Sequence, residues 1–193
     1  MDRISFLKES IKNFKSIGSI TQSGEALCRR MSSHINYSDR VIVELGAGDG
    51  VITKHLLDNM HKDAILLCFE INDNYATKLA QIGDDRLNVI VDSAENLKFH
   101  LERFGFEKAD IIISSIPFLV FSDDLRDSIL NICKSCLHQN GRFVQFHYTL
   151  TMRNLYKSIF GKIQMSFVLL NAPPAYVYSC LNTNYTHFDR GAK

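Results

Sequence analysis

The chain has 193 residues, of which 46% are hydrophobic, so it is long enough for a single domain with a sizeable buried core. Its 22 basic and 21 acidic side chains give a net charge of +1, which argues against nucleic-acid binding over the whole surface but leaves a local patch open. The five cysteines are scattered and odd in number, as expected for reduced thiols in the cytoplasm, and no apolar run reaches transmembrane length.

Residues 3–17 have the pattern of a basic amphipathic helix. Basic residues lie largely off an apolar stripe that recurs at helical spacing and is formed by Ile4, Leu7, Ile11 and Phe14. Up to Arg30 there are six basic and three acidic side chains, a local charge of +3. Such a helix can lie on an anionic membrane surface, or its stripe can cover the domain core, and the pattern leaves both open.

The small polar residues 18–24 break this helix just before the first predicted strand. They are well placed to fold over a ligand bound at the end of that strand. We therefore divide the chain into residues 1–35, an amphipathic helix with a covering segment, and residues 36–193, a ligand-binding domain.

A strand, a glycine turn and the start of a helix follow one another after residue 40. The apolar, β-branched run Val41–Leu45 is typical of a buried parallel strand. Three glycines then stand at alternate positions in the pattern Glu44-x-Gly46-x-Gly48-x-Gly50. After Gly50 the apolar residues recur with the period of a helix. An ordinary strand-to-helix turn rarely needs three glycines so close together, whereas a ligand that approaches bare backbone does. The stretch therefore predicts a cofactor loop.

The spacing of these glycines distinguishes between two classes of cofactor. A dinucleotide fingerprint closes with Gly or Ala at the position that Val51 occupies here. The pattern instead resembles motif I of the Rossmann-like, class I S-adenosylmethionine (SAM)-dependent methyltransferases. This resemblance implies that SAM, which brings an amino-acid end, a ribose and a sulfonium, is bound by Glu44, Gly46, Gly48 and Gly50.

Acidic residues follow the next two predicted strands. Ile65–Phe69 ends in Glu70, 20 residues beyond Gly50, where a carboxylate can accept both ribose hydroxyls of the cofactor. Leu87–Val91 ends in Asp92, which we expect to receive the adenine amino group. The backbone N–H groups after it, those of Ser93 and Ala94, are expected to face the ring edge. Asp92 or Ser93 can also cap the following helix, and the two roles are compatible.

The fourth predicted strand, Ala109–Ile113, runs into Ser114-Ser115-Ile116-Pro117-Phe118. In the methyltransferase plan this strand end faces the transferred methyl group, and enzymes that methylate amines often place a polar residue, Pro and an aromatic here. The resemblance implies that oxygens at Ser114 and Ser115 hold the amine beside Pro117. Ser114 is expected to border the cofactor as well, and Phe118 to form a cation–π wall. A turn that is merely structural is the alternative.

The remaining elements complete the predicted sheet. A helix over residues 123–137 carries Cys133 and Cys136, which we interpret as packed thiols because no second cysteine pair accompanies them. The fifth strand is 142–148, and strands 163–170 and 175–181 are close enough in sequence to require antiparallel pairing. The predicted fold is α/β, a Rossmann-like doubly wound sheet, mostly parallel with one antiparallel edge strand.

Four segments in order narrow the resemblance. They are Gly18-Ser19-Ile20 with Ser23, Ser-x-x-Pro from Ser114, Gly-Arg-Phe-Val-Gln-Phe-x-Tyr ending at Tyr148, and Asn-x-Pro-Pro-Ala from Asn171. The set resembles the bacterial phospholipid N-methyltransferases, which convert phosphatidylethanolamine stepwise to phosphatidylcholine, and their ornithine-lipid-methylating relatives. The resemblance implies a membrane phospholipid as acceptor, contact with an anionic membrane through residues 3–17, and a cytoplasmic protein peripherally associated with the inner face of the membrane. We also expect a monomer that binds no nucleic acid.

The expected chemistry is direct in-line transfer from SAM to a neutral amine, without a metal, since the sulfonium is already an activated leaving group. Tyr148 or His147 can assist loss of the amine proton, or the proton leaves to water. One alternative is an rRNA adenine N6-dimethyltransferase-like enzyme, whose motif normally opens with an amide side chain where this chain has Ser114, and which carries a basic RNA-binding domain where a short tail follows Leu181 here. The other is a methyltransferase fold that binds partners without catalysis.

Overall fold

A computed structural model describes residues 24–183, which form a seven-stranded sheet with helices on both faces. In chain order the helices and strands are α1 Glu25–Ser32, β1 Val41–Leu45, α2 Val51–Asn59, β2 Ile65–Phe69, α3 Asp73–Ala80, β3 Leu87–Ile90, α4 Leu97–Arg103, β4 Ala109–Ser114, α5 Asp123–Cys136, β5 Leu137–His147, α6 Arg153–Phe160, β6 Gly161–Val168 and β7 Ala175–Asn182. Short 3-10 helices lie at Ala94–Asn96 and Phe118–Val120. The predicted helix over residues 3–17 and most of the covering segment lie outside the described residues.

The strand order is β3-β2-β1-β4-β5-β7-β6, and β1 to β5 are all parallel. Strand β7 pairs antiparallel with both β5 and β6, so β6 runs in the same direction as β5. This confirms the predicted Rossmann-like, mostly parallel sheet with one antiparallel strand. That strand, β7, stands one place in from the edge, because the β6–β7 hairpin joins β5 through its second strand.

The strand order reverses between β1 and β4, which is where open α/β sheets form a ligand crevice beyond their carboxyl ends. In register, Leu45 at the end of β1 stands beside Phe69 of β2 and Ser114 of β4. The glycine loop, Glu70 and the segment after Ser114 therefore emerge next to one another.

The sheet is buried on both faces by separate sets of helices. One face packs against α4, α5 and α6 through residues that include Leu97, Leu130, Tyr156 and Phe160. The other packs against α1, α2 and α3 through residues that include Leu27, Leu56 and Leu79. This explains why β1 is buried along its whole length and apolar except for Glu44, since both faces of a central parallel strand are covered. Among residues 24–183, no helix is both long and apolar enough to cross a bilayer.

Strand β5 begins earlier than the sequence predicts. The turn expected at residues 138–141 is present as a register shift, because Ala109 pairs with Leu137 but Ile111 pairs with Arg142. Cys133 and Cys136 on α5 are both buried and free, and burial raises the pKa of each thiol. This confirms that they are packed side chains, since a reactive thiol requires a lowered pKa.

Candidate functional site

The glycine loop has the backbone of a ligand cradle. Gly46, Gly48 and Gly50 have φ values of 73°, 59° and 82°, in the left-handed region. A Cβ at Gly46 would lie 3.3 Å from the Ile116 side chain, and one at Gly50 would lie 2.9 Å from Leu79. At Gly48 it would meet nothing within 4 Å. The outer glycines therefore let the loop pack closely, while the middle one presents bare backbone to open space.

Glu70 holds this loop against the end of β2. Its Oε2 accepts a hydrogen bond from the Gly48 backbone N–H at 2.8 Å, and its Oε1 accepts one from the Asn72 N–H at 2.8 Å. The Gly46 N–H also donates to the Phe69 carbonyl at 2.9 Å. A carboxylate has about four acceptor positions, so Glu70 retains capacity for a ligand hydroxyl beside the loop. Its role toward the ribose stays a prediction.

Glu44 lies fully buried beneath the loop. Its Oε2 accepts hydrogen bonds from Thr53 Oγ1 at 2.7 Å and from Cys68 Sγ at 3.5 Å. Among residues 24–183, its Oε1 has no hydrogen-bond partner. Burial raises the pKa of Glu44 to about 7, although the Thr53 and Cys68 hydrogen bonds act in the opposite direction. A buried carboxylate oxygen without a partner fits the ammonium group at the amino-acid end of SAM, which would neutralise it.

Asp92, at the end of β3, is held in a tight hydrogen-bonded turn. Its Oδ1 accepts from the Ser93 N–H at 2.7 Å and from Asn96 Nδ2 at 2.9 Å, and its Oδ2 lies 2.8 Å from His100 Nε2. Burial raises the pKa of Asp92, but these hydrogen bonds outweigh it and leave the pKa below its usual value. Ser93 Oγ accepts from the Glu95 N–H at 3.2 Å, which confirms it as a helix cap. Ala94 is buried beside it, and contact of this turn with adenine stays a prediction.

The segment after β4 folds back over the glycine loop. Ser114 is fully buried and its Oγ accepts from the Ile116 N–H at 3.2 Å, so its hydroxyl binds the segment's own backbone. The Ser115 N–H donates to the Leu45 carbonyl at 2.9 Å. Ser115 and Pro117 are both partly exposed. Ser115 and Pro117 therefore have a surface available for the acceptor, whereas Ser114 does not.

Phe118 does not form the expected cation–π wall. Its side chain is fully buried, with its ring centroid 6.2 Å from that of Phe121 and 6.4 Å from that of Phe143. The prediction is wrong because the chain turns into a 3-10 helix at Phe118, which directs this ring into the core and leaves Leu119 exposed.

His147 and Tyr148 lie on opposite faces of the sheet. His147 is buried with its Nε2 2.6 Å from the Tyr156 hydroxyl, and burial lowers its pKa to about 4. Burial raises the pKa of Tyr148 above its usual value, although a hydrogen bond with Asn171 lowers it. At neutral pH the imidazole is therefore neutral and turned into the core, and the phenol keeps its proton. Neither group is poised to act as a general base.

Three site residues were not predicted to have a role. Thr53 fixes the Glu44 carboxylate, and its position on the first turn of α2 facing β1 was the available signal. Gln145 is buried, and its Nε2 donates to the carbonyls of Ile116 at 3.2 Å and Phe146 at 2.9 Å. Asn171 Oδ1 accepts from the Gly24 N–H at 2.8 Å. Gln145 and Asn171 belong to motifs that carry the family resemblance. A sequence motif, however, does not show which backbone groups a side chain will contact.

The sheet order, the left-handed glycine loop and the acidic residues at the carboxyl ends of β1, β2 and β3 define a class I SAM-dependent methyltransferase. The fold is similar to that of 1,6-didemethyltoxoflavin N1-methyltransferase from Burkholderia thailandensis, with a TM-score of 0.69 and 13% identity over 93% of this chain and 88% of that one. It is also similar to magnesium protoporphyrin IX methyltransferase from Synechocystis PCC 6803, solved with bound SAM, with a TM-score of 0.65 and 9% identity over 95% of this chain and 98% of that one. No protein-family model matches the chain.

A curated relative identifies the family. The chain is 30% identical over 179 residues to ornithine lipid N-methyltransferase from Singulisphaera acidiphila, which covers 91% of this chain and 93% of the relative. The chain belongs to this N-methyltransferase family, and it is an enzyme that uses SAM as its cofactor. The predicted family resemblance and cofactor are confirmed, and the alternative of a fold without catalysis is set aside.

Proposed function

We propose that this enzyme methylates the amine of a membrane lipid, with phosphatidylethanolamine and ornithine lipid as candidate acceptors. The observation that carries the proposal is the near full-length similarity to an ornithine lipid N-methyltransferase. The proposal includes contact of residues 3–17 with an anionic membrane surface, a monomer at the inner face of the membrane, and the division of the chain at residue 35.

The charge distribution at the carboxyl edge of the sheet supports its division into two halves. We call them the donor half, which would hold SAM, and the acceptor half, which would hold the amine. Glu44, Glu70 and Asp92 lie on or directly after β1, β2 and β3, in the half that is proposed to hold SAM. Residues 114–121 and 148–152, which follow β4 and β5, contain no charged side chain. An uncharged, partly buried surrounding disfavours an ammonium ion relative to a neutral amine. The acceptor half therefore favours the form of the amine whose lone pair is free to react.

Each half has a distinct task in the proposed reaction. When bound, SAM supplies a methyl group that its sulfonium already activates. The Glu44 carboxylate would bind the ammonium end, Glu70 the ribose hydroxyls and the Asp92 turn the adenine edge. Oxygens of Ser115 and the hydroxyl of Tyr148 would accept and orient the remaining protons of the amine beside Pro117. Since neither His147 nor Tyr148 is poised as a base, we propose that the amine loses its proton to water, and in-line displacement remains the expected geometry.

A comparison of acceptors tests this proposal. Purified protein is incubated with methyl-labelled SAM and, in separate reactions, phosphatidylethanolamine vesicles, ornithine lipid vesicles or ribosomal RNA. We expect label in at least one aminolipid and none in RNA. Label in RNA alone would overturn the lipid proposal in favour of the rRNA methyltransferase alternative.

A further inference from the structure

Four exposed leucines surround the acceptor half of the site. Leu119, Leu150, Leu169 and Leu170 expose 45%, 48%, 68% and 85% of their surface, and we call them the leucine rim. They follow β4, β5 and β6, whose carboxyl ends lie at the same edge of the sheet. The rim therefore stands at one edge, beside Ser115, Pro117 and Tyr148.

The three segments that carry the rim contain no charged residue of their own, and Arg30 of α1 contacts one of them at Ser166. Residues 114–121, 148–152 and 166–176 contain no Asp, Glu, Lys or Arg. The donor half of the same edge, in contrast, carries Glu70, Asp73 and Asp92. A surface that enters the headgroup and acyl boundary of a bilayer must bring apolar side chains without buried charge, and the acceptor half meets this condition.

The rim is also joined directly to the N-terminal part of the chain. Asn171, which follows Leu170, is buried and accepts the Gly24 N–H at 2.8 Å. Residues 1–23, which precede Gly24 in the chain, contain four basic and two acidic side chains. A segment whose charge favours an anionic surface is therefore joined in sequence to a residue that contacts the loop of the rim.

We propose that the leucine rim docks the enzyme on a lipid bilayer, inserting its side chains at the headgroup boundary so that a lipid amine reaches the acceptor half without leaving the membrane. The inference rests on the proposed lipid function. A second copy of the chain is a poorer occupant, because a stable interface buries about 800 Å² on each partner and four partly exposed leucines offer much less. The two most exposed side chains, Leu169 and Leu170, are adjacent in one loop, a placement that suits insertion into a soft boundary.

The test uses full-length protein with both Leu169 and Leu170 changed to Ser. Binding is measured by sedimentation with vesicles of phosphatidylethanolamine and phosphatidylglycerol, at low salt and at about 1 M salt, where charge attraction is screened. We expect at least about a tenfold loss of binding that persists at high salt, since burying one leucine is worth about a tenfold factor or more. Tyr37→Ser is the matched control, because Tyr37 is 77% exposed but precedes β1 at the opposite edge of the sheet, and its binding should equal that of the parent.

Other occupants give different results. If residues 1–23 cover the rim, the double variant melts at a lower temperature and binds vesicles like the parent. If a second copy covers it, the variant changes apparent mass in light scattering and again binds vesicles normally. Either result overturns the inference. The proposed function is tested separately by the methyl-transfer assay. If binding depends on the leucine rim but no aminolipid is methylated, the lipid-methylating function is rejected and the docking surface is retained.

Discussion

Glu44 is the residue through which we expect the stability of the fold and the binding of SAM to be coupled. Burial raises its pKa from the ordinary 4.5 to about 7, so the folded protein holds the proton more tightly than the unfolded chain does. The stabilising contribution is fully present below about pH 4.5 and is lost as pH rises through about 7. Binding of an ammonium group requires the ionised carboxylate and therefore becomes favourable over the same range.

We accordingly predict that SAM affinity rises with pH up to about 7, by about tenfold per pH unit well below that value, and falls again above about pH 8, where the α-ammonium group of SAM loses its proton. Calorimetric titrations across this range measure it. Glu44→Gln should bind SAM more weakly at pH 8, and its SAM affinity should no longer rise with pH below 7. The free energy of unfolding of this variant should also fall less than that of the parent between pH 5 and pH 8. An unchanged pH slope in the variant would mean that another group titrates.

Two glycines provide a matched test of the cofactor loop. Gly48 and Gly105 have φ values of 59° and 82°, and a Cβ at either position would meet nothing within 4 Å. Alanine in the left-handed region costs about 1–2 kcal/mol at each site. We expect both variants to melt lower, but only Gly48→Ala to lose SAM affinity, by at least about tenfold, because only Gly48 faces the proposed cofactor. Equal SAM affinities in a calorimetric titration would place the cofactor elsewhere.

At the scale of elements, Asn171 ties the β6–β7 loop to the start of α1. Removing its side chain in Asn171→Ala leaves the Gly24 N–H without this acceptor and the Pro173 carbonyl without this donor. We predict a loss of about 1–3 kcal/mol in unfolding free energy and faster amide exchange at the first turn of α1. Asn131→Ala is the control, since Asn131 is exposed and donates to the Asp127 carbonyl of its own helix. Unchanged exchange at α1 in the Asn171 variant would contradict the role of this tie.

Some elements of the fold can be predicted from local sequence, and others depend on contacts between distant residues. Strand β1, the glycine loop and α2 follow from local periodicity and glycine spacing, because both faces of that strand are buried and the pattern records it. The direction of Phe118 could not be predicted, since an aromatic residue after proline can turn inward or outward and only packing against Phe121 and Phe143 decides. The early start of β5 likewise depends on pairing with Ala109, which is distant in sequence.

For the whole molecule, a net charge of +1 conceals three regions of different character. Residues 1–23 are basic, the edge beyond β1 to β3 is acidic, and the edge beyond β4 to β6 is uncharged and apolar. Composition averages these regions, and only the order of the strands shows that the acidic and apolar groups share one edge. In the proposed function, this arrangement would place a cationic cofactor beside an amine that must stay neutral until it reacts.

We propose that this edge of the sheet methylates the nitrogen of a lipid amine. The most direct measurement is mass spectrometry of the lipid recovered after incubation with SAM that carries a deuterated methyl group, with Gly105→Ala as the active control and Gly48→Ala as the impaired one. We expect the heavy methyl group on the headgroup nitrogen, in amounts that fall with Gly48→Ala and not with Gly105→Ala. A methyl group on another atom of the lipid, or no labelled lipid from a protein that binds SAM, would contradict it.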